Sequence, residues 1–324
     1  MNNYNKNMGY GRQFLADYPS LGGKVFIVMS ASDARYNMVQ DIVDVDPDGL
    51  VRLYTSLESA YAATVTNSND VIYYFGGSAS QTLTDALDWS KNYVHLIGVC
   101  APCGIGNRAR IFMTAGLADP IMMTFSGSGC YFKNFSIFHG VDQAAALTAA
   151  SLTGSRNYFE NVRIAGIGND TQDAAGACSL KLDGASENKF VDCVIGLDTI
   201  AAGSAANSEI LVDGGASRNK FVNCTIVRWI EHATNHPLVK LADATAIDRD
   251  LTFDNCLFLS MSENYAYTQG GVFKLAADLT QGYIVVKDCM AVNASKWDVD
   301  DRNKIYLFNS PTPAADTAGI ARAV

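Results

Sequence analysis

Several short segments of this 324-residue chain carry residue types and spacings that could bind a metal. Residues 44–49 place three aspartates at alternate positions before a glycine, as in the opening of a calcium-binding loop. The twelfth position of such a loop would be Thr55, where the pattern requires a bidentate glutamate. We interpret residues 44–49 as an acidic turn between two strands, and calcium binding there stays the alternative.

Cys100 and Cys103 have the two-residue separation found in redox and zinc sites. A second cysteine pair does not follow, and the pair does not open a helix after a first strand. The pattern therefore favours a loop with two unpaired thiols.

Two later segments could also carry chemistry. His232 and His236 lie four residues apart, but this spacing forms a zinc pair only on a helix, and Pro237 argues against a helix. Trp297 precedes three aspartates within residues 298–301, which would suit sugar contact or hydrolysis. Both are more often solvated loops, so we predict no catalytic residue, no cofactor and no metal site.

A phrase that recurs about every 31 residues is the most informative feature of the sequence. Each copy has an Asn or Asp between two short apolar runs, and these polar residues are separated by 27, 31, 31, 32 and 33 positions. A fixed period of this size indicates one unit stacked on itself. Because each unit is strand-like, the sequence predicts an all-β fold, a right-handed parallel β-helix with a small α/β cap at its N-terminal end. The six polar residues are Asn134, Asn161, Asp192, Asn223, Asn255 and Asp288.

Two columns of side chains follow from this repeat. The Asn/Asp residues are expected at tight corners, where Asn tolerates unusual backbone angles and its amide can bond a neighbouring coil. The residue after each of the last four is cysteine: Cys193, Cys224, Cys256 and Cys289. Rungs about 4.8 Å apart hold parallel Cβ atoms beyond the usual disulfide separation, so we expect a column of reduced, buried thiols.

The repeat also sets the predicted organisation of the chain. Residues 1–20 read as an arm, 21–69 as an α/β cap, 70–308 as the β-helix and 309–324 as a C-terminal tail. Within the cap, residues 55–58 resemble a capping box that opens a short helix reaching about Asn67.

One loop in each coil is expected to be extended, on the same side of the solenoid. These loops are predicted at residues 196–208, 227–237, 259–270 and 291–303. Insertions on one face of a repeat protein often build its binding face.

Composition restricts the class of protein. The chain is 48% hydrophobic and 18% charged, which indicates an ordered protein with a large core. A net charge of −9 argues against a nucleic-acid partner, and no stretch reaches the roughly 18 apolar residues of a membrane span.

The N-terminal region carries the most distinctive resemblance. Residues 23–28, 46–60 and 69–73 resemble a group of tailed-bacteriophage virion proteins in which a similar cap precedes a pectate-lyase-like β-helix. The resemblance extends over most of residues 20–300. It implies a virion structural protein of the capsid-decoration type, made in the bacterial host cytoplasm, and supplies no catalytic set.

Two functions remain open at this point, because a fold does not decide between them. The first is a non-enzymatic capsid decoration protein, a homotrimer on the virion surface whose partners are itself and the major capsid protein. The alternative is a tail spike or polysaccharide lyase or hydrolase acting on host surface glycans. Paired carboxylates do not recur on one face of adjacent coils, which favours the structural protein.

The arm is the predicted anchor of that assembly. Its four large aromatic residues can supply contact area in a segment too polar to form its own core. These residues are Tyr4, Tyr10, Phe14 and Tyr18.

Overall fold

The computed structural model confirms the predicted fold class, an all-β parallel solenoid of about eight turns. Each turn passes through three parallel sheets, called here sheets I, II and III, in that order. The structure describes residues 23–42, 51–77, 79–204, 206–231, 237–262, 270–276, 278–299 and 304–311.

Sheet I is the longest and runs from one end of the solenoid to the other. Its 11 strands are, in spatial order, Leu53–Tyr54, Val25–Val28, Asp70–Phe75, Val94–Val99, Tyr131–Lys133, Tyr158–Glu160, Lys189–Val191, Asn219–Val222, Asp250–Asp254, Tyr283–Lys287 and Ile305–Phe308.

Sheets II and III complete each turn. The eight strands of sheet II are Gln81–Leu83, Arg110–Met113, Ser136–Phe138, Arg163–Ala165, Val194–Ala202, Thr225–Ile230, Leu257–Ser262 and Met290–Val292. The seven strands of sheet III are Leu87–Asp88, Ile121–Phe125, Thr148–Leu152, Cys178–Asp183, Ser208–Asp213, Val239–Leu241 and Phe273–Leu275.

The core is one continuous column of apolar side chains between the three sheets. Its centre is a stack of phenylalanines from successive strands of sheet I, with neighbouring ring centroids 4.5–4.9 Å apart. Because each of these strands has phenylalanine at the equivalent position, the rings repeat at the spacing of the strands. The stacked residues are Phe132, Phe159, Phe190, Phe221 and Phe253.

The cap is continuous with the solenoid rather than a separate layer. Its strands Val25–Val28 and Leu53–Tyr54 add to sheet I beside Asp70–Phe75. The described part of the cap contains the helices α1 (Tyr36–Ile42) and α2 (Leu57–Ala63), and α2 buries its apolar face in the main core. No helix among the described residues is long and apolar enough to cross a membrane.

The predicted capping box is wrong in detail. The N-cap of α2 is Ser56, whose hydroxyl accepts from the Ser59 amide, and the helix ends at Ala63 rather than near Asn67. The Glu58 carboxylate accepts from the Ser56 hydroxyl through Oε2 and from the amide and hydroxyl of Thr84 through Oε1. The side chain therefore contacts the N-cap residue and the first coil at the same time.

The predicted extended loops begin too early. Residues 196–202, 227–230 and 259–262 continue the strands of sheet II, and a bulge between Leu197 and Ala201 absorbs the extra length in the longest strand. Cross-rung pairing and alternate burial favour strand here, so the irregular connections are shorter than expected.

Candidate functional site

The predicted polar column lies at the corner between sheets I and II. All six residues have φ between 49° and 61°, the left-handed region that Asn and Asp tolerate. Asn309, with φ of 46°, continues the column and was not predicted. Side chains of neighbouring rungs bond each other, as Asn161 Nδ2 does with Asn134 Oδ1 at 2.7 Å and Asn255 Nδ2 with Asn223 Oδ1 at 2.9 Å. These contacts give the column a role in stacking the coils.

A second, deeply buried asparagine ladder lies at the start of the strands of sheet I, and the sequence analysis missed it. Asn157, Asn188 and Asn219 are each 1% exposed. The Oδ1 atoms of Asn188 and Asn219 accept from the backbone amides of Asn157 and Asn188, at 2.9 and 3.1 Å. The available signal was the Asn that precedes each of Tyr158, Lys189 and Lys220.

The four cysteines after the corner are 1–2% exposed and are free thiols. Each contacts the carbonyl oxygen of a phenylalanine on the preceding rung, with Sγ to O distances of 3.5–3.6 Å. Burial raises the pKa of Cys224, and the hydrogen bond with Cys224 raises that of Cys256 to about 12. Thiols held in this form are poor nucleophiles and poor metal ligands at neutral pH.

Thiol labelling of the native protein is expected to separate two groups of cysteines. Cys103 is exposed and should react quickly, while the column residues should stay unmodified until the protein is denatured. Mass spectrometry of the labelled peptides measures this, and Cys103 is the internal control. Fast native labelling of Cys193 or Cys256 would contradict a buried column.

The structure places the remaining candidates as follows. Residues 44–49, His232 and His236, and residues 300–301 lie outside the described residues. Cys100 is half-buried and Cys103 exposed, before a 3-10 turn at Gly104–Gly106. Trp297 is buried against Phe258 and Phe273 as part of the core. Within the described ranges, no group of three or more His, Cys, Asp or Glu side chains could hold a metal ion.

A polar cleft of about 740 Å³ opens beside the start of α2. Serine and threonine hydroxyls line it, together with Glu58 and Asp85. Both carboxylates already accept backbone hydrogen bonds, from Thr84 and Ala86 respectively. At this cleft the hydrogen bond from Thr84 to Glu58 therefore holds the first coil against the cap.

The carboxylates on the outer faces are paired with cations of neighbouring rungs. Asp254 lies between Lys220 and Lys287, at 2.9 and 3.1 Å, and the hydrogen bond from Lys220 lowers the pKa of its carboxyl group. Glu187 lies in the same way between Arg156 and Arg218, at 2.7 and 3.2 Å. Charge therefore alternates along the axis at these two positions.

The ion pair between Arg228 and Glu209 is buried, and the sequence analysis did not anticipate it. Arg228 on sheet II is 0% exposed, and its Nε donates to Oε1 of Glu209 on sheet III at 2.8 Å. Ser179 donates to the other carboxylate oxygen at 2.6 Å. A side chain at Gly196, where φ is 107°, would collide with this carboxylate and with the backbone of Val227. The pair joins sheets II and III.

Two buried histidines make the stability of the fold sensitive to acid. Burial lowers the pKa of His95 and His139 to about 4, while an unfolded chain titrates them near 6.5. Between these values the unfolded state binds protons that the folded state does not, so stability falls as the pH decreases. His139 contributes about 3 kcal/mol to the loss of folding stability between pH 6.5 and 4.

His139→Gln is therefore expected to flatten the pH dependence of unfolding between pH 6.5 and 4. Urea unfolding of both proteins at several pH values measures the difference, and the carboxylates cancel because both proteins share them. Equal slopes for the two proteins would exclude His139 as a source.

The outer face of sheet II is apolar on its last three rungs. Ile226, Phe258 and Ala291 of these strands point into the core, so the alternate side chains point outward. The register aligns them in rows across the strands. Among these outward residues Thr225 is polar and Val227 is only 1% exposed, while Met261 and Met290 are 37% and 38% exposed and the others are half-buried. We call this surface the apolar wall: Trp229, Leu257, Leu259, Met261, Met290 and Val292.

The C-terminal end of sheet I forms a second apolar surface, called here the open end. In the described part of the chain, strand Ile305–Phe308 is the edge of the sheet and pairs only with Tyr283–Lys287. Tyr306, Leu307 and Phe308 are 53%, 39% and 56% exposed. An apolar edge strand with one row of backbone groups outside the sheet is a template for pairing with another chain.

Comparisons with known proteins support the fold. No family model matches the chain, and no curated protein matches it either. Pectate lyase Pel9A matches with a TM-score of 0.61 and 15% identity, over 95% of this chain and 74% of that one. Pectin methylesterase from Aspergillus niger in deglycosylated form has a TM-score of 0.57 and 15% identity, over 94% and 91%. Identities this low show a pectate-lyase-like right-handed β-helix, a fold associated with enzymes, and do not assign an activity.

A chain described as Geobacillus virus E2 ORF18 also matches, with a TM-score of 0.41 and 12% identity, over 77% of this chain and 56% of that one. This likeness is too distant to carry an argument.

Proposed function

We propose that the chain is a non-enzymatic structural protein of a bacteriophage virion, a capsid decoration protein that assembles as a homotrimer on the capsid surface. The apolar wall is the observation that carries this proposal. Six large apolar side chains lie in register on this outer sheet face. Contiguous apolar patches on a protein surface mark sites of association with other proteins.

The wall suits side-by-side contact between copies. It spans three neighbouring rungs of a parallel sheet, so it is nearly flat and runs along the solenoid axis. Closed cyclic symmetry lets each copy bury such a surface without forming an open fibre. The paired charges on sheet I, such as Asp254 with Lys220, would stay in solvent in that arrangement.

The open end suits attachment to the capsid shell. Strand Ile305–Phe308 offers backbone hydrogen-bonding groups and the exposed side chains of Tyr306 and Phe308 at one pole of the solenoid. An extended segment of the major capsid protein could add to this edge as a further strand. The wall would then bind other copies while the pole binds the particle.

The association state tests the first part of the proposal. Light scattering at micromolar concentration should give a trimer for the wild-type chain and a monomer for Met261→Glu combined with Met290→Glu. Both methionines are more than a third exposed, so the fold should tolerate the changes. Val65→Glu, at an apolar side chain 56% exposed in the cap, is the matched control and should stay trimeric. A stable wild-type monomer would contradict the trimer.

Purified particles test the second part. A decoration protein should be present at a copy number comparable to that of the major capsid protein. When purified protein is added to particles that lack it, Phe308→Asp should bind with lower occupancy than the wild type. A copy number limited to a few spikes, together with depolymerisation of host surface glycans by the purified chain, would favour the tail-spike alternative.

A further inference from the structure

Two aspartate–glycine turns are stacked on neighbouring rungs at the end of sheet III. One strand ends at Asp183 and continues into Gly184, and the next strand of the sheet ends at Asp213 and continues into Gly214. The register pairs the two aspartates, so one turn lies directly above the other. Both glycines are exposed and have φ of 68° and 66°, the left-handed region that glycine adopts without strain.

The two turns differ in what the glycine amide contacts. The amide of Gly184 donates to the backbone carbonyl oxygen of Asp213 on the neighbouring rung, at 3.0 Å. The amide of Gly214 donates instead to Oδ1 of Asp213, the side chain of the residue directly before it, at 2.8 Å. The Gly214 nitrogen therefore lies against the carboxyl group of its own neighbour, while the Gly184 nitrogen belongs to the contact between rungs.

The contact at Gly214 is the starting geometry of a cyclisation that aspartate–glycine sequences undergo without an enzyme. The amide nitrogen attacks Cγ of the protonated carboxyl group. A C–N bond forms, the bond from Cγ to the hydroxyl breaks, and the hydroxyl leaves as water with the amide proton. Water then adds to either carbonyl carbon of the cyclic imide, and opening at the backbone carbonyl gives isoaspartate, in which the chain runs through Cγ. Glycine favours the attack because it has no side chain to obstruct it.

We propose that Asp213 is a site of spontaneous isoaspartate formation in the folded protein, and that the fold protects Asp183 from the same reaction. Exposure does not separate the two residues, because their side chains are 39% exposed at Asp183 and 32% at Asp213. A neighbouring cation does not separate them either, since Lys181 contacts both carboxylates, at 2.8 and 3.3 Å. The difference between them is the position of the glycine amide.

Asp85 supplies the complementary comparison within the same chain. The amide of Ala86 donates to Oδ1 of Asp85 at 2.9 Å, the same contact as at Asp213, and both residues are exposed. The following residue is alanine, whose methyl group obstructs the attacking nitrogen. The chain thus has the contact without glycine at Asp85, glycine without the contact at Asp183, and both at Asp213.

Isoaspartate at position 213 would change the contact between the two rungs. The carbonyl oxygen of Asp213 accepts from the Gly184 amide, and in isoaspartate that carbonyl carbon becomes a free carboxylate on a chain lengthened by a methylene group. A Cβ at Gly214 would lie 2.8 Å from the Gly184 nitrogen, so the turns have no room for a longer chain. The modification therefore displaces this edge of sheet III, and it does not depend on the proposed virion function.

Peptide mapping of the full-length wild-type chain tests the proposal. The folded protein is incubated slightly below neutral pH, where a larger fraction of each carboxyl group is protonated, and samples are digested over time. An isoaspartate-specific methyltransferase labels the modified peptides, and mass spectrometry locates them. Asp213 should accumulate isoaspartate several-fold faster than either Asp183 or Asp85. A rate at Asp213 no greater than at Asp183 or at Asp85 would overturn the proposal.

The same incubation in urea separates the effect of the fold from that of the sequence. In the unfolded chain Asp183 and Asp213 should react at similar rates, because the amide contacts that distinguish them are lost. Asp213→Glu, which lengthens the side chain and disfavours the five-membered ring, should remove the signal at this position and leave the rate at Asp183 unchanged. A preference for Asp213 that persists unchanged in urea would assign the reaction to the local sequence and would refute the role of the fold.

Discussion

Replacing Phe221 with alanine is expected to lower the free energy of unfolding by about 3–5 kcal/mol. Phe221 is 0% exposed, and its ring stacks between those of Phe190 and Phe253 at centroid distances of 4.5 and 4.9 Å. Removing the ring deletes buried apolar area and leaves a gap that the neighbouring rungs cannot fill, because the strand spacing is fixed by backbone hydrogen bonds.

Equilibrium unfolding in urea measures this loss, with two probes to check that the transition stays two-state. Val222→Ala is the matched control, since Val222 is the next residue of the same strand and points outward. Its expected cost is within about 1 kcal/mol. A loss of similar size for both variants would show that Phe221 is not a special contributor to the column.

The sequence is sufficient to predict the stacking of the coils because the repeat carries its own register. A recurring phrase fixes which residues share a column, so Asn223 and Asn255 could be placed at equivalent corners without coordinates. The unusual φ values of these residues follow from the same reasoning, because a tight corner requires a residue that tolerates the left-handed region. Phe190 and Phe221 stand one period apart in the same phrase, and both lie in the core.

Features that occur once could not be predicted in this way. Glu209 and Arg228 are residue types that usually lie in solvent, and they do not recur at the repeat period. The absence of a side chain at Gly196 leaves the space that the Glu209 carboxylate occupies. The residues that recur once in every coil do not carry that information.

The apolar wall illustrates the same limit at the candidate site. Leu259 and Met261 were assigned to an extended loop, so their alternation was not interpreted as an outer strand face. Only the cross-rung register with Trp229 and Val292 shows that these residues form one surface. The function of a repeat protein resides in such departures from the repeat, because the repeat itself encodes the scaffold.

Replacing one residue of the buried pair Arg228 and Glu209 is expected to give the second large loss of stability. Arg228→Leu is expected to cost about 3–5 kcal/mol, because it leaves the Glu209 carboxylate buried with only Ser179 as its described side-chain partner. Glu209→Leu should cost a similar amount, because it leaves a fully buried guanidinium without its counter-charge.

The double variant separates the attraction within the pair from the cost of burying two charges. Replacing both residues by leucine removes both charges, so its loss should be well below the sum of the single losses. The expected coupling is about 2 kcal/mol or more, measured by urea unfolding of the four proteins. Lys220→Leu with Asp254→Leu, a half-exposed pair on sheet I, is the matched control and should couple by less than about 1 kcal/mol. Additive losses at Arg228 and Glu209 would mean that the two side chains contribute independently, and the link between sheets II and III would then rest on packing alone.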